Sequence, residues 1–195
     1  SVHLDASIQT SEGKMGFVIG MQDTPNPIRV AADLLDEEIN GLSGDGARLW
    51  ADSKGFERSN VQGRPPFEGA TDTVGVVARD KSGLIVCATS TGGTSNRPPG
   101  RVGDVPLPGC GFWVQDGVGV GATGIGEAIT RGMISLRVAD RILDGNGLEE
   151  SMMWALDECL EEDAEVGIIA LGTEGTGHGV SNSTNMPWAS WIARK

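Results

Sequence analysis

Two apolar runs separated by a four-residue turn constrain this chain more than any other feature. The first is Thr73-Val74-Gly75-Val76-Val77-Ala78. The second is Leu84-Ile85-Val86-Cys87-Ala88-Thr89-Ser90-Thr91, and Asp80-Lys81-Ser82-Gly83 lies between them. Two β-rich runs around a turn with a late glycine predict a β-hairpin. Both runs are nearly continuously apolar, so the hairpin is expected to be covered on both faces and to sit centrally in its sheet. Hydroxyls gather at one end of it. Thr73 opens the first strand, and Thr89, Ser90 and Thr91 close the second. Antiparallel pairing then brings Thr73 beside Thr91. A polar loop follows and closes with Gly100-Arg101-Val102-Gly103-Asp104.

The rest of the chain reads as strands in blocks separated by helix pairs. Residues 2–8 alternate like a strand, and Met15 to Met21 form a second apolar run. Asn26 is a good helix cap and Pro27 suits the first helical position. Ile28, Val30, Ala31, Leu34, Leu35 and Ile39 share one face of the helix that follows. A second helix is expected over Gly46–Lys54, then an exposed linker from Ser59 to Thr71. Strands are expected at Gly109–Val114 and Val118–Ala122, and one long helix from Gly121-Ala122-Thr123-Gly124 to about Leu143. Another helix runs from Leu148 to Leu160, and strands at Val166–Leu171 and Gly177–Val180 finish the pattern. Such blocks argue for antiparallel sheets with helices outside, an α+β fold rather than a βαβ wind. Asn182-Ser183-Thr184 matches a glycosylation acceptor, read here as a chance occurrence.

With 195 residues the chain can bury a core of its own. Its formal charge of −12 repels phosphate backbones, so nucleic acid is not expected as a partner. No apolar run approaches a membrane span and no signal peptide is visible, so no membrane is expected and the location is read as cytoplasmic. Cys87, Cys110 and Cys159 are widely spaced and read as buried hydrophobes. With only two histidines, His3 and His178, a zinc centre or a Ser-His-Asp triad is hard to build. Neither metal nor cofactor is expected.

The hydroxyls offer another chemistry. A threonine Oγ is a poor nucleophile without a base. A cut before Thr73 would supply one, because the new α-amine titrates at about 7.7–8.0 and lies beside its own hydroxyl. Asp72-Thr73, preceded by the linker, is a suitable place for that cut. Arg101 and Asp104, close together in a glycine-flanked loop, suit the carboxylate and ammonium of an α-amino acid. Thr123 and Gly124, placed at a helix start, offer a hydroxyl and an N–H for an oxyanion. Each feature also has an ordinary explanation: a strand threonine, a surface ion pair, a turn into a helix or a phosphate cradle. The last is disfavoured because the Lys-Ser/Thr of a P-loop is missing.

Taken together, these boxes resemble a known family. Thr73-Val74-Gly75, Thr89-Ser90-Thr91-Gly92-Gly93, Gly100-Arg101-Val102-Gly103-Asp104 and Thr123-Gly124-Ile125-Gly126-Glu127 are similar to the motifs of the threonine-nucleophile asparaginases. That N-terminal nucleophile group includes plant-type L-asparaginase/isoaspartyl peptidase and glycosylasparaginase. Thr91 lies 18 residues after Thr73, and Arg101 and Asp104 lie 28 and 31 after it, as in the family. Leu4-Asp5-Ala6-Ser7 and Asn26-Pro27-Ile28-Arg29-Val30-Ala31 resemble its N-terminal subunit, and residues 182–191 its last strands.

The resemblance implies a four-layer αββα sandwich, here lacking the family's first strand and helix. Residues 1–72 would be the end of the first subunit with its linker, and residues 73–195 the second, together forming one domain. It implies self-cleavage between Asp72 and Thr73, with Thr73 as nucleophile and Thr91 as its hydrogen-bonding neighbour. Arg101 and Asp104 would anchor the substrate's α-groups, Thr123 and Gly124 would hold the oxyanion, and Gly126 would shape the pocket. The implied reaction is hydrolysis of β-aspartyl amides, as an L-asparaginase or isoaspartyl dipeptidase, by a homodimer of cut αβ units acting on a small-molecule substrate. Asp72 is closer to the glycosylasparaginase branch, which stands as an alternative. A second alternative is an uncleaved, inactive fragment that acts only by association. Ile8-Gln9-Thr10-Ser11-Glu12-Gly13 departs from the Met-Asp-Gly usual after the first of these strands.

Overall fold

A computed structural model of the protein describes residues 2–62, 73–94, 96–175, 177–184 and 186–192. Its hairpin turn forms around one carboxylate. Asp80 Oδ1 accepts hydrogen bonds from Ser82 N, Ser82 Oγ and Leu84 N at 2.7–3.0 Å. Gly83, at φ +96°, supplies the left-handed residue the turn needs. The flanking strands are β4 (Val74–Arg79) and β5 (Ile85–Thr91). Strand β5 has β1 (Leu4–Thr10) on its other side, followed by β2 (Met15–Met21) and the short β3 (Gly41–Ser43). The order of this sheet is β3-β2-β1-β5-β4, antiparallel except for β2 with β3.

Here the structure corrects the sequence reading. β5 is central and buried at alternate residues, but β4 is the last strand of its sheet among the described residues. Val74 is 67% and Val76 55% exposed. An apolar β-branched run records a preference for extended backbone, and that preference alone does not say which strand is covered.

A second sheet runs β6 (Phe112–Gln115), β7 (Val118–Gly124), β8 (Val166–Leu171) and β9 (Gly177–Ser181), antiparallel throughout. β4 and β5 pack against β7, and β1 against β6. The two sheets come close because Gly119 has no side chain: a Cβ there would lie 2.5 Å from Val77 Cγ1. Between them lies a small cluster of Ile85, Cys87, Phe112 and Val114. Burial pushes the Cys87 thiol up to about 12, so this cysteine is an inert hydrophobe.

Helices cover the outer faces. α1 (Pro27–Asp33) begins at Pro27 after Asn26, as expected, and packs on β1 and β2. After a 3-10 turn at Leu34–Asp36 the chain leaves the helix, so Ile39 is exposed instead of extending its apolar face. α2 (Gly44–Ser53) packs on β2. α4 (Ile134–Leu143) and α5 (Leu148–Glu158) pack on the second sheet. The long helix expected up to Leu143 is two helices. α3 (Gly126–Gly132) ends where Met133 turns left-handed at φ +45°, and α4 starts afresh. The Asn182 side chain bonds Val166 N and the Ala164 carbonyl, and so pins the start of β8. The described residues thus form an α+β fold of two sheets and five α-helices. None of these helices is long and apolar enough to cross a membrane.

Candidate active site

The hairpin register fixes the first pair of residues. Val74 opposes Ser90, so Thr73, one residue earlier, stands opposite Thr91. The sheet thus ends in a row of threonines at the same end where β7 ends. Thr73, Thr91, Arg101, Asp104 and Gly124 line one shallow cleft. Gly93, Thr94 and Gly103 complete its wall.

Asp104 is held there by the first sheet. It begins a turn in which its own carbonyl accepts from Leu107 N and Gly111 N. The next residue, Val105, offers its carbonyl to the Ser7 hydroxyl at 2.6 Å and the Thr89 hydroxyl at 3.3 Å. The Asp104 side chain is 6% exposed, and its Oδ2 has no hydrogen-bond partner among the described residues. Burial pushes its pKa up to about 7, although nearby Arg101 opposes the rise. A buried carboxyl with a spare oxygen in a cleft is suited to a cationic ligand group.

Arg101 does not form the simple pair with Asp104 that its spacing suggests. Its Nε and Nη2 reach both oxygens of Glu127, at 2.8 and 2.9 Å. Glu127 follows Gly126 at the start of α3, which brings it over the arginine. This partner carries no role in the sequence reading, although it stands in the same glycine-rich box. Arg101 is only 13% exposed and still faces the cleft.

Thr123 and Gly124 also differ from expectation. They are the last two residues of β7, opposite Gly167 and Val166, and do not open a helix. Gly124 has φ +135°, and a Cβ there would collide with the Glu165 carbonyl. That backbone is available only to glycine. The Thr123 hydroxyl is buried without a hydrogen-bond partner among the described residues. Gly126 leaves room for the two charged side chains: a Cβ would lie 2.7 Å from Asp104 Oδ1 and 2.8 Å from Arg101 Nη2. Asp72, the proposed residue before the cut, lies outside the described residues. Among those described, no group of three or more His, Cys, Asp or Glu gathers to hold a metal.

Two threonines, a guanidinium and a buried carboxyl thus line one cleft, a set of groups whose chemistry complements a small zwitterion. Comparison with known proteins gives this class a family. The asparaginase family model matches residues 61–195. The plant-type L-asparaginase of Pyrobaculum calidifontis is 39% identical over 166 residues, covering 71% of this chain and 55% of its own. The isoaspartyl peptidase/L-asparaginase of Danio rerio is 40% identical over 198 residues, covering 90% of this chain and 64% of its own. The N(4)-(β-N-acetylglucosaminyl)-L-asparaginase of Elizabethkingia miricola is 30% identical, covering 89% and 59%. The chain belongs to the asparaginase family. It spans 55–64% of the length of these three relatives.

Proposed function

We propose that this chain is an autoprocessed amidohydrolase that cleaves β-aspartyl amide bonds, as an L-asparaginase or isoaspartyl dipeptidase. The observation that carries the reading is Thr73 opposite Thr91 in a cleft shared with Arg101 and Asp104. The names of the relatives support the same substrate class.

In this account the fold is the four-layer αββα sandwich of N-terminal nucleophile hydrolases, divided into a 1–72 and a 73–195 segment. Thr73 Oγ attacks the Asp72 carbonyl, the chain shifts from amide to ester, and water releases the Asp72 carboxylate. The freed Thr73 α-amine is then the base. It takes the Oγ proton as Oγ attacks the side-chain amide carbon of the substrate. The oxyanion rests against Thr123 and Gly124. The protonated amine gives its proton to the departing nitrogen, the C–N bond breaks, and ammonia or an amino acid leaves. Water, deprotonated by the same amine, then hydrolyses the β-aspartyl ester and returns the proton to Thr73 Oγ. Arg101 holds the substrate's α-carboxylate after giving up Glu127, and ionised Asp104 holds the α-ammonium. Gly126 keeps that space open.

A second substrate is favoured by one sequence feature and one relative. Asp72 before Thr73 resembles the glycosylasparaginase branch, and the Elizabethkingia miricola protein carries that activity in its name. A direct comparison decides between them. The full-length protein is offered asparagine, a β-aspartyl dipeptide and a glycosylated asparagine, and product release is measured for each. Turnover of the first two supports the reading, turnover of the third alone favours the second, and turnover of none rejects both.

A further inference from the structure

Arg101 already holds a carboxylate when the cleft is empty. Its Nε and Nη2 donate to Glu127 Oε1 and Oε2 at 2.8 and 2.9 Å. Two parallel N–H···O bonds of this length are how a guanidinium holds any carboxylate, that of an α-amino acid included. The two partners differ in freedom. Arg101 is 13% exposed at the wall of the cleft, whereas Glu127 is 52% exposed. Glu127 sits in the first turn of α3, so rotation about its side-chain bonds carries its carboxylate into water without moving the backbone. Arg101 has less room. A Cβ on Gly103 would lie 3.0 Å from its Nη1, and one on Gly126 would lie 2.8 Å from its Nη2. The guanidinium also has other neighbours when Glu127 lets go. The Glu127 bonds favour its charged form most, burial opposes it, and the fields of Asp104 and Asp5 favour it as well. Glu127 is the partner that can leave.

We propose that Glu127 is a built-in competitor for the carboxylate fork of Arg101, which the α-carboxylate of substrate or product must displace. The inference rests on the amidohydrolase reading above and concerns only the charged end of the cleft. In the empty site the pair spares Arg101 the cost of a largely buried, unpaired charge. The same pair weakens the binding of every α-carboxylate. The apparent dissociation constant is the intrinsic one divided by the fraction of molecules whose fork is free. A fork held by Glu127 in about nine molecules of ten weakens binding about tenfold. Aspartate carries the same α-groups as asparagine, so it meets the same competitor. Glu127 recaptures the fork as aspartate departs, and the cleft is cleared of its own product.

The test is steady-state hydrolysis of asparagine by the full-length protein, with aspartate as an added inhibitor. Glu127→Gln keeps the size of the side chain and removes its charge and one of its two acceptors. The KM for asparagine and the inhibition constant of aspartate are both expected to fall about three- to tenfold, while kcat stays the same or falls. A side chain that only braced Arg101 would give the opposite sign, a higher KM. In an Arg101→Lys background the same change is expected to alter the KM by less than about twofold, because the contested fork is gone. A KM that is unchanged or raised in Glu127→Gln would overturn the proposal. So would an equally large fall in the Arg101→Lys background, because Glu127 would then act by its charge and not by holding the fork. Glu127→Ala is read by the same criteria, so either variant decides the matter if the other does not fold. An unmodified protein without turnover would remove the amidohydrolase reading and this inference together. An active protein indifferent to Glu127 would remove the inference alone.

Discussion

Ser7 and Thr89 are ladder partners on β1 and β5, and their hydroxyl oxygens lie 2.6 Å apart. Both are buried, and both reach the carbonyl of Val105. Through that carbonyl the first sheet holds the turn that begins at Asp104. Ser7→Ala removes the shorter of the two hydrogen bonds to that carbonyl and leaves it the longer one from Thr89, and is expected to cost about 0.5–1.5 kcal/mol. The same change loosens Asp104, so the KM for asparagine should rise more than kcat falls. Urea unfolding and steady-state kinetics on one preparation check both effects. An unchanged KM would show that the Val105 anchor does not support the site.

Asp104 makes the site sensitive to pH. Burial raises its pKa to about 7, so in the folded protein the carboxyl is protonated below that value. In the unfolded chain it ionises at about 3.9. Between these values the folded state binds the extra proton. The contribution of Asp104 to stability is therefore fully present below about 4 and is lost as pH rises through about 7. Asp104→Asn is expected to melt higher than the parent at pH 8, with the gap closing toward pH 4. In the parent the KM for asparagine should climb as pH falls through about 7, because a neutral carboxyl no longer holds the α-ammonium. A flat KM across that range would argue against this role.

Arg101 offers Nε and Nη2 as a fork to Glu127. A substrate carboxylate would need the same geometry. Arg101→Lys keeps the charge and loses the fork. It is expected to raise the KM for asparagine about tenfold or more while changing stability by less than about 1 kcal/mol, since Glu127 is half exposed. Substrate-saturation curves and thermal melts measure the two quantities. A KM within twofold of the parent would remove Arg101 from substrate binding.

Gly126→Ala places a methyl group between the Arg101 and Asp104 side chains. Both must shift, and the cleft narrows at its charged end. The expected outcome is a KM raised about tenfold with little change in kcat, because Gly126 stands at the start of α3 and the Thr73–Thr91 row belongs to the β4–β5 hairpin. Equal losses in both parameters would mean that Gly126 serves the fold and not the pocket.

The local signals in the chain were readable wherever one residue type had one physical use. The Asp80–Gly83 turn, the Asn26-Pro27 helix start and the facing pair Thr73 and Thr91 follow from turn chemistry, capping and register. The exposure of β4 did not follow, because Val74 and Val76 look alike whether or not another strand covers them. Met133 hid the break between α3 and α4, since a methionine in left-handed backbone has no sequence signature. In the cleft, the motif boxes marked Arg101, Asp104, Gly124 and Gly126. They did not mark which partner each would hold. Glu127 took Arg101 because the short α3 brings its first turn over the guanidinium, a tertiary fact. Ser7 and Thr89 were equally silent. Their importance comes from β1 lying beside β5, and those strands are separated by some eighty residues of sequence.

The central claim is that Thr73 becomes an N-terminal nucleophile. Intact-mass analysis of the purified full-length protein, read alongside ammonia release from asparagine, tests it most directly. The predicted result is a fragment that starts at Thr73 in active material, together with a Thr73→Ala chain that stays whole and silent. A protein that stays uncut and releases ammonia, or a Thr73→Ala variant that retains activity, would contradict it.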